Sequence, residues 1–172
     1  MLFSFFRRPM AWLSFCLLVV GSLLASCQKT EEFAIDTKDY SARDKQIIED
    51  YIRANNFTGT RLDTLGMTII ETRPGTGARP KRNQSVSALY TGSLVPSGNV
   101  FDSTGSRGDQ PFTFPVGMGQ VIAGWDIGFS TLRVGSKAIL LIPSALGYGG
   151  RPVGPIPSAS VLRFDVEVKN IQ

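Results

Sequence analysis

The residues of this 172-residue sequence that are best suited to form a site are the apolar and aromatic side chains around Trp125. Residues 120–129 carry apolar side chains three to four positions apart, namely Val121, Ile122, Trp125 and Phe129. This spacing is typical of one face of a helix. A helix this short is not stable alone, so it must pack on a larger element. We therefore expect a short helix on a sheet, with the indole of Trp125 as the floor of a pocket.

Two glycines inside this run, Gly124 and Gly128, support the same interpretation. Each glycine costs a helix interior about 1 kcal/mol relative to alanine. A sequence that accepts this cost twice predicts close backbone contact between the helix and its neighbour.

Several kinds of chemistry are excluded by composition. The sequence has no histidine, which excludes His-based catalytic triads, His metal sites and imidazole acid–base catalysis. Its two cysteines, Cys16 and Cys27, both lie near the N-terminus, so no disulfide can cross-link the folded part. The net charge of +4 is modest, and no Lys/Arg cluster resembles a phosphate-binding patch. We expect no metal, no cofactor and no nucleic acid partner.

The elements that must position the pocket are mainly strands. The sequence is 42% apolar and 19% charged, which suits one globular domain with additional residues at an end. Its 18 glycines and 10 prolines favour short strands joined by tight turns over a helical bundle. The clearest strand alternates apolar with charged residues from Leu162 to Lys169, as a half-buried antiparallel strand does. We predict an α+β domain over residues 65–172, with five or six antiparallel strands and one short helix on their buried face.

The N-terminal residues are interpreted as a targeting signal, 1–26. Arg7 and Arg8 precede a nearly continuous apolar run over residues 10–24, which is short for a membrane-spanning helix. Leu24-Ala25-Ser26-Cys27 resembles a bacterial lipobox. The resemblance implies cleavage before Cys27 and attachment of a lipid to its thiol, which would anchor the chain to a membrane. A plain signal peptide or an N-terminal anchor helix is the alternative.

The residue after Cys27 is Gln28 rather than aspartate. Under the usual sorting rule of Gram-negative bacteria, this implies a lipid-anchored protein of the cell envelope. We expect it at the outer membrane, facing either the periplasm or the outside.

A flexible tether, 27–40, and a helical segment, 41–64, are expected before the main domain. Ser41 is placed as the helix N-cap and Asp44 in the first turn. An apolar stripe then continues to about residue 54, and Asn55-Asn56 can end the helix in a left-handed conformation. This helix could dock on the main domain, mediate dimerisation, or space the domain from the membrane.

From residue 67 to the C-terminus, the sequence resembles the FKBP-type peptidyl-prolyl cis–trans isomerases. The resemblance rests on motifs that occur in the family's order: Tyr90-Thr91-Gly92, Val100-Phe101-Asp102-Ser103, Pro111-Phe112-Thr113-Phe114, Val121-Ile122-Ala123-Gly124-Trp125, Gly147-Tyr148-Gly149, Ile156-Pro157 and Phe164-Asp165-Val166-Glu167. It implies a twisted antiparallel sheet wrapped around a short helix. The loop 149–155 and Gly147 depart from better-known members, which leaves substrate preference open.

The resemblance also implies a set of site residues. Those expected to bind substrate are Tyr90, Phe101, Phe112, Val121, Ile122, Trp125 and Phe164. Phe112 and Phe114 are two positions apart and face opposite ways, so at most one of them lines the pocket. The Tyr148 hydroxyl and the Ile156 backbone N–H are expected to donate to substrate carbonyls. Asp102 either polarises the twisted amide or holds Tyr90 in place.

The activity implied is rotation about X–Pro bonds, which would assist the folding of exported or envelope proteins. The partners implied are proline-containing polypeptides and the family's macrolide inhibitors. A binding module that holds proline-containing or unfolded segments with little turnover is the alternative. Without the resemblance, Trp125 and Phe164 would be read as core, and Asp102 as a turn residue.

Overall fold

The structure, a computed structural model, describes residues 35–172. The expected signal peptide, Cys27 and most of the tether lie outside these residues. Short 3₁₀ helices span Gly105–Arg107 and Ser144–Leu146. In chain order, the other elements are α1 (Ser41–Asn55), β1 (Thr60–Thr64), β2 (Met67–Arg73), β3 (Ser85–Val95), β4 (Val100–Ser103), β5 (Phe112–Pro115), α2 (Ala123–Thr131), β6 (Lys137–Ile142) and β7 (Val161–Ile171).

The seven strands of the described residues form one antiparallel sheet with the neighbour order β1–β2–β6–β7–β3–β4. β7 therefore lies in the middle, between β6 and β3. The other edge of β3 is shared, because residues 85–88 pair with β5 and residues 91–93 pair with β4. The predicted α+β class, with one short helix against an antiparallel sheet, is confirmed. Residues 65–172 supply six strands, within the five or six expected, and β1 adds a seventh from the preceding segment.

The extra strand is β1, which lies in the segment 41–64, after the end that we predicted for its helix at Asn55-Asn56. The sequence analysis predicted no strand at Thr60–Thr64. Four of the five residues of β1 are exposed, so the sequence lacks the alternation that identifies a half-buried strand. β1 forms because it pairs with β2, with Thr60 opposite Glu71 and Thr64 opposite Met67.

Helix α2 packs against β6 through its two glycines. A Cβ atom at Gly124 would lie 2.5 Å from Ile142, and one at Gly128 would lie 2.9 Å from Leu140. Both distances are too short for a real Cβ contact, so the predicted close approach is confirmed. Phe129 on α2 is fully buried in the core on this side of the sheet.

The helix begins later than the apolar spacing suggested. Ile122 is its N-cap residue with an extended backbone, φ −58° and ψ 147°, and Val121 precedes it. Neither residue is on the helix face that we predicted. They form the turn that leads into α2, because the helical hydrogen bonds begin with donation to the Ile122 carbonyl oxygen.

Helix α1 packs on a second apolar cluster, which includes Ile48, Ile70, Leu141 and Val161. Ile48 is 2% exposed and supplies the centre of the contact. The helix ends at Asn56 in the left-handed conformation that we predicted, with φ 48°.

The start of α1 differs from the prediction of Ser41 as N-cap. Tyr40 is the N-cap residue, and no side chain caps the helix. The Ser41 N–H donates to Asp39 Oδ1 at 2.8 Å. Among residues 35–172, no helix combines the length and the apolar character that crossing a membrane requires.

Candidate active site

A cavity of about 720 Å³ opens beside Trp125, at the N-terminal end of α2. The structure brings every predicted site residue of the main domain to this cavity: Tyr90, Phe101, Asp102, Phe112, Val121, Ile122, Trp125, Tyr148, Ile156 and Phe164. These residues come from β3, β4, β5, β7, helix α2, the turn before it and the loop 147–160. The sheet and α2 therefore gather residues that are up to 74 positions apart in sequence, from Tyr90 to Phe164.

Trp125 forms the floor of the cavity and is 4% exposed. The rings of Tyr90 and Phe164 stand nearly perpendicular to it, with centroids 4.9 and 5.2 Å away and interplanar angles of 82° and 83°. Edge-to-face contacts of this kind are favourable because the positive edge of one ring meets the negative face of another. The result is an apolar box with rigid walls.

The floor also carries an unpaired hydrogen-bond donor. Among the described residues, the indole Nε1 of Trp125 is the one buried side-chain nitrogen or oxygen without a hydrogen-bond partner. An unpaired buried donor costs free energy, and such groups concentrate where function requires them.

Gly92, in the Tyr-Thr-Gly motif, leaves room for the rings of Phe101 and Phe164 to meet in the cavity wall. A Cβ atom at Gly92 would lie 2.6 Å from the ring of Phe101 and 2.7 Å from that of Phe164. These two rings pack edge to face with centroids 5.6 Å apart. Any larger residue at this position of β3 would displace the rings, so Gly92 defines the width of the box.

The two phenylalanines of β5 do not face opposite ways as predicted: their rings stack with centroids 5.8 Å apart, and both lie beside Trp125. Phe112 is 41% exposed and lines the cavity, whereas Phe114 is 3% exposed and packs under Trp125 with centroids 5.3 Å apart. The choice of Phe112 from the resemblance therefore agrees with its position in the structure.

A polar network stands on one wall. The Tyr90 hydroxyl donates to Asp102 Oδ2, and Arg107 donates to Asp102 Oδ1 at 2.7 Å and to the Tyr90 hydroxyl oxygen at 2.9 Å. Burial acts to raise the pKa of Asp102, but the hydrogen bonds from Tyr90 and Arg107 outweigh it and hold the pKa below its usual value. Burial and the neighbouring Asp102 raise the pKa of Tyr90.

Arg107 is a site residue that the sequence reasoning missed. It lies in the polar loop after β4, five positions beyond Asp102, where a solvated charge is the ordinary expectation. Since no periodic pattern covers this loop, only the folded 3₁₀ turn Gly105–Arg107 shows the guanidinium directed to the carboxylate.

Tyr148 stands at the mouth of the cavity and is 37% exposed. Its hydroxyl makes no hydrogen bond to other groups of residues 35–172, so it can donate to a bound molecule. Burial of the ring, and secondarily the charge of Asp102, raise the pKa of Tyr148. The hydroxyl therefore stays protonated at neutral pH.

The expected role of the Ile156 backbone N–H was wrong. This N–H donates to the Val153 carbonyl oxygen at 2.9 Å, and the Val153 N–H donates back to Ile156 at 2.9 Å. The pair closes a tight turn within the loop, so the donor is already occupied. The side chain of Ile156 is 4% exposed and contributes to the cavity wall.

Ile122 offers the backbone donor that Ile156 lacks. It lines the cavity, and its N–H has no hydrogen-bond partner within residues 35–172. Because Ile122 is the N-cap residue of α2, the positive end of the helix dipole adds to the attraction for a carbonyl oxygen.

The loop before Ile122 is held by Asp126, which the sequence analysis did not single out. Its carboxylate accepts hydrogen bonds from the N–H groups of Gly117 at 2.8 Å and Gly119 at 2.9 Å. Both glycines have positive φ, 74° and 68°, which favours glycine at these turns. Across residues 35–172, no three His, Cys, Asp or Glu side chains lie close enough together to hold a metal ion.

Comparison with known proteins agrees with this geometry. The model of the family "FKBP-type peptidyl-prolyl cis-trans isomerase" matches residues 77–169. The "FKBP-type peptidyl-prolyl cis-trans isomerase FkpA" of Aeromonas hydrophila is 42% identical over 125 residues, which are 72% of this chain and 45% of that protein. The "Peptidyl-prolyl cis-trans isomerase Fkbp12" of Drosophila melanogaster is 41% identical over 110 residues, 63% of this chain and 100% of that protein.

The crystal structure of FkpA from Escherichia coli is similar with a TM-score of 0.64 at 31% sequence identity, covering 78% of this chain and 60% of that one. The chain spans less than half the length of several curated relatives that it matches. The family model covers more than half of the chain and includes every residue of the cavity. The chain therefore belongs to the FKBP-type peptidyl-prolyl cis–trans isomerase family.

Proposed function

We propose that this chain catalyses rotation about X–Pro bonds of polypeptide substrates. One observation supports this above all others. The aromatic box around Trp125 is lined on the same cavity by a free hydroxyl donor, Tyr148, and a free backbone donor, Ile122. The box accommodates an apolar ring such as that of proline, and the donors can hold the carbonyl groups on either side of it.

The chemistry follows from the electronic structure of the amide. Resonance makes the X–Pro amide planar and sets a rotation barrier of about 18–20 kcal/mol. The planar amide is more dipolar than the twisted one, so an apolar cavity disfavours the ground state more than the transition state. Rotation breaks no covalent bond and requires no proton transfer. A site without histidine is therefore sufficient.

The network of Tyr90, Asp102 and Arg107 supports a positioning role for Asp102. Both carboxylate oxygens are occupied, one by the Tyr90 hydroxyl and one by Arg107. Of the two roles that the sequence left open for Asp102, this arrangement favours holding Tyr90 against the box.

A non-catalytic module that binds proline-containing or unfolded segments is the second candidate. The observation in its favour is the apolar lining at the mouth of the cavity, where Phe112 is 41% and Val153 is 42% exposed. Apolar side chains at the mouth of a pocket can hold an extended segment without turnover.

Both candidates are tested by following cis-to-trans conversion of a short Leu-Pro peptide without a coupling protease. Phe112→Ala removes a cavity wall, and Val100→Ala, at a side chain 62% exposed outside the cavity, is the matched control. We expect the wild type and Val100→Ala to accelerate conversion equally, and Phe112→Ala to be slower. Saturable binding of the peptide without acceleration would support the binding module instead.

We propose in addition that the chain is a lipid-anchored protein of the bacterial cell envelope, where it assists folding of exported proteins. The sequence Leu24-Ala25-Ser26-Cys27 followed by Gln28 supports this proposal. Expression in a Gram-negative host with labelled fatty acid tests it. We expect label on the wild type and none on Cys27→Ser, and an unlabelled wild type would contradict the anchor.

A further inference from the structure

A buried carboxylate links the N-terminal helix to the loop that borders the cavity. Asp44, in the first turn of α1, is 1% exposed. Its Oδ2 accepts hydrogen bonds from the backbone N–H of Ser144 at 2.8 Å and from the Ser144 hydroxyl at 2.5 Å. Its Oδ1 accepts from Arg43 Nη2 at 2.6 Å. A buried carboxylate is costly unless it is paired and hydrogen-bonded, so these bonds are specific requirements of the site.

Ser144 in turn fixes the backbone on both sides of Tyr148. Its carbonyl oxygen accepts from the N–H of Gly147 at 3.0 Å and from the N–H of Gly149 at 2.9 Å. Ser144 thus donates to the Asp44 carboxylate through its N–H and its hydroxyl. Its carbonyl oxygen accepts from the N–H groups of both neighbours of Tyr148. This short chain of hydrogen bonds connects the Asp44 carboxylate to the backbone on both sides of Tyr148.

Arg43, which bonds to Asp44, holds the far end of the loop. Arg43 Nη2 donates to the Ala159 carbonyl oxygen, and the Ala159 N–H donates to the Gly149 carbonyl oxygen at 2.8 Å. Between these points lies the segment 150–158, which contains the turn of Val153 and Ile156. Arg43 and Asp44 therefore close both ends of the loop that carries Tyr148 and the Ile156 wall.

A separate apolar contact also attaches α1 to the sheet. Ile48 already anchors the helix on the opposite face of the sheet, in a cluster with Ile70 and Leu141. A helix that only needed a docking site would be expected to keep an acidic residue of its first turn in water. Asp44 is instead directed at the 3₁₀ turn Ser144–Leu146, which leads into the cavity loop.

We propose that the Arg43–Asp44 pair positions the loop bearing Tyr148 and Ile156, so that α1 sets the affinity of the cavity for its substrate. This inference rests on the proposed isomerase function. Asp44 does not touch the substrate and acts through Ser144. Docking on the main domain was one of the roles left open for α1. Under this proposal, docking also positions the loop at the cavity.

The test compares two Asp→Asn variants of the same helix in the full chain. Asp44→Asn keeps the shape of the side chain but cannot accept from both Arg43 and Ser144. Asp50→Asn is the control, since the Asp50 side chain is 56% exposed and bonds only within α1. Ile48→Val is a second control, because it weakens the apolar docking of the helix alone. Hydrogen exchange of residues 144–159 and the KM and kcat for a Leu-Pro peptide are measured for each variant.

We expect Asp44→Asn to exchange residues 144–159 roughly tenfold faster and to raise KM about fivefold with kcat nearly unchanged. Asp50→Asn and Ile48→Val should keep wild-type exchange in this loop and wild-type KM. If Asp44→Asn does not fold, Ser144→Ala, which removes only the hydroxyl donor, should shift both readouts in the same direction by less.

Wild-type loop exchange and KM in a folded Asp44→Asn would overturn the proposal. An equal rise of KM in Ile48→Val would also overturn it, because docking of the whole helix would then be the cause. Hydrogen exchange does not depend on turnover. A wild type that fails to accelerate isomerisation would contradict the proposed function, and the exchange of residues 144–159 would still decide whether Asp44 positions the loop.

Discussion

The Tyr90 hydroxyl donates to the carboxylate of Asp102 while the Tyr90 ring stands edge-on to the floor of the cavity. The two residues belong to the neighbouring strands β3 and β4, and Arg107 bonds to both of them. Because the hydroxyl is tied at one end and the ring is packed at the other, Tyr90 has no freedom to leave the wall. We therefore expect Asp102 to act on the site through Tyr90.

A double-mutant cycle tests this dependence. We expect Asp102→Ala and Tyr90→Phe each to lower kcat/KM roughly tenfold, which corresponds to about 1.4 kcal/mol. Because both remove the same hydrogen bond, the double variant should lose little more than either single variant. Additive losses would mean that Asp102 also acts directly on the amide. Urea unfolding of each variant checks that the domain remains folded.

Tyr148→Phe tests the free hydroxyl. The substitution keeps the ring and removes only the donor, so we expect a fall in kcat/KM of roughly tenfold, the loss of one hydrogen bond of about 1–1.5 kcal/mol. The free energy of unfolding should not change, because the hydroxyl has no partner among the described residues. Tyr51→Phe on α1 is the control, and it should retain full activity. Equal activity of Tyr148→Phe and wild type would remove Tyr148 from the site.

The backbone donor is tested at Ile122 itself. Proline fits the observed φ of −58° but has no N–H. Ile122→Pro and Ile122→Ala both lose the isoleucine side chain, and only the first also loses the donor. We expect Ile122→Pro to lose roughly tenfold more kcat/KM than Ile122→Ala, consistent with one hydrogen bond to a developing transition state. Equal losses in a folded pair of variants would show that the side chain alone matters.

The pH dependence of activity should be flat from about pH 5 to about pH 9. Burial acts to raise the pKa of Asp102, but its hydrogen bonds hold it below the ordinary value, so the carboxylate stays ionised above about pH 5. Its contribution to stability is fully present above the unfolded pKa and is lost as the pH falls through the folded pKa. Burial raises the pKa of Tyr90 and Tyr148, so both remain protonated. An inflection of kcat/KM near pH 7 would contradict this assignment.

Gly124→Ala tests the contact between α2 and β6. The new methyl group would lie 2.5 Å from Ile142, a buried side chain with little room to move. We expect the cost of overpacking, about 1–3 kcal/mol, to exceed the gain in helix propensity of about 1 kcal/mol. Ser130→Ala on the exposed face of α2 should change the free energy of unfolding by less than about 0.5 kcal/mol. Greater stability of Gly124→Ala in urea unfolding would contradict the close approach.

Periodic patterns and the family's motifs predicted the elements and the members of the cavity. The alternation in β7 and the two glycines of α2 allowed their packing to be predicted, because each pattern indicates which face is buried. Trp125 was placed on the floor for the same reason. Such residues are predictable because their burial follows from local geometry.

Contacts made across the fold were not predictable in this way. Ile122 and Ile156 both line the cavity, and only the turn formed with Val153 shows which N–H is occupied. Arg107 and Asp44 are charged residues in a loop and on a helix, where exposure is the ordinary expectation. Their partners lie 5 and 100 positions away. The strand β1 was missed because its side chains are exposed and pairing with β2 alone defines it.

The central place of β7 has a consequence for how the chain acquires its structure. β7 separates β3 from β6, and its residues follow both strands in sequence. Neither strand can complete its pairing until Val161–Ile171 is available, and the partners of β3 in β7 lie 66 to 85 positions away. A topology with such high contact order is expected to fold in milliseconds to seconds rather than microseconds. During synthesis the cavity wall formed by Phe164 would be absent until β7 emerges, so a growing chain would complete the cavity only after that strand.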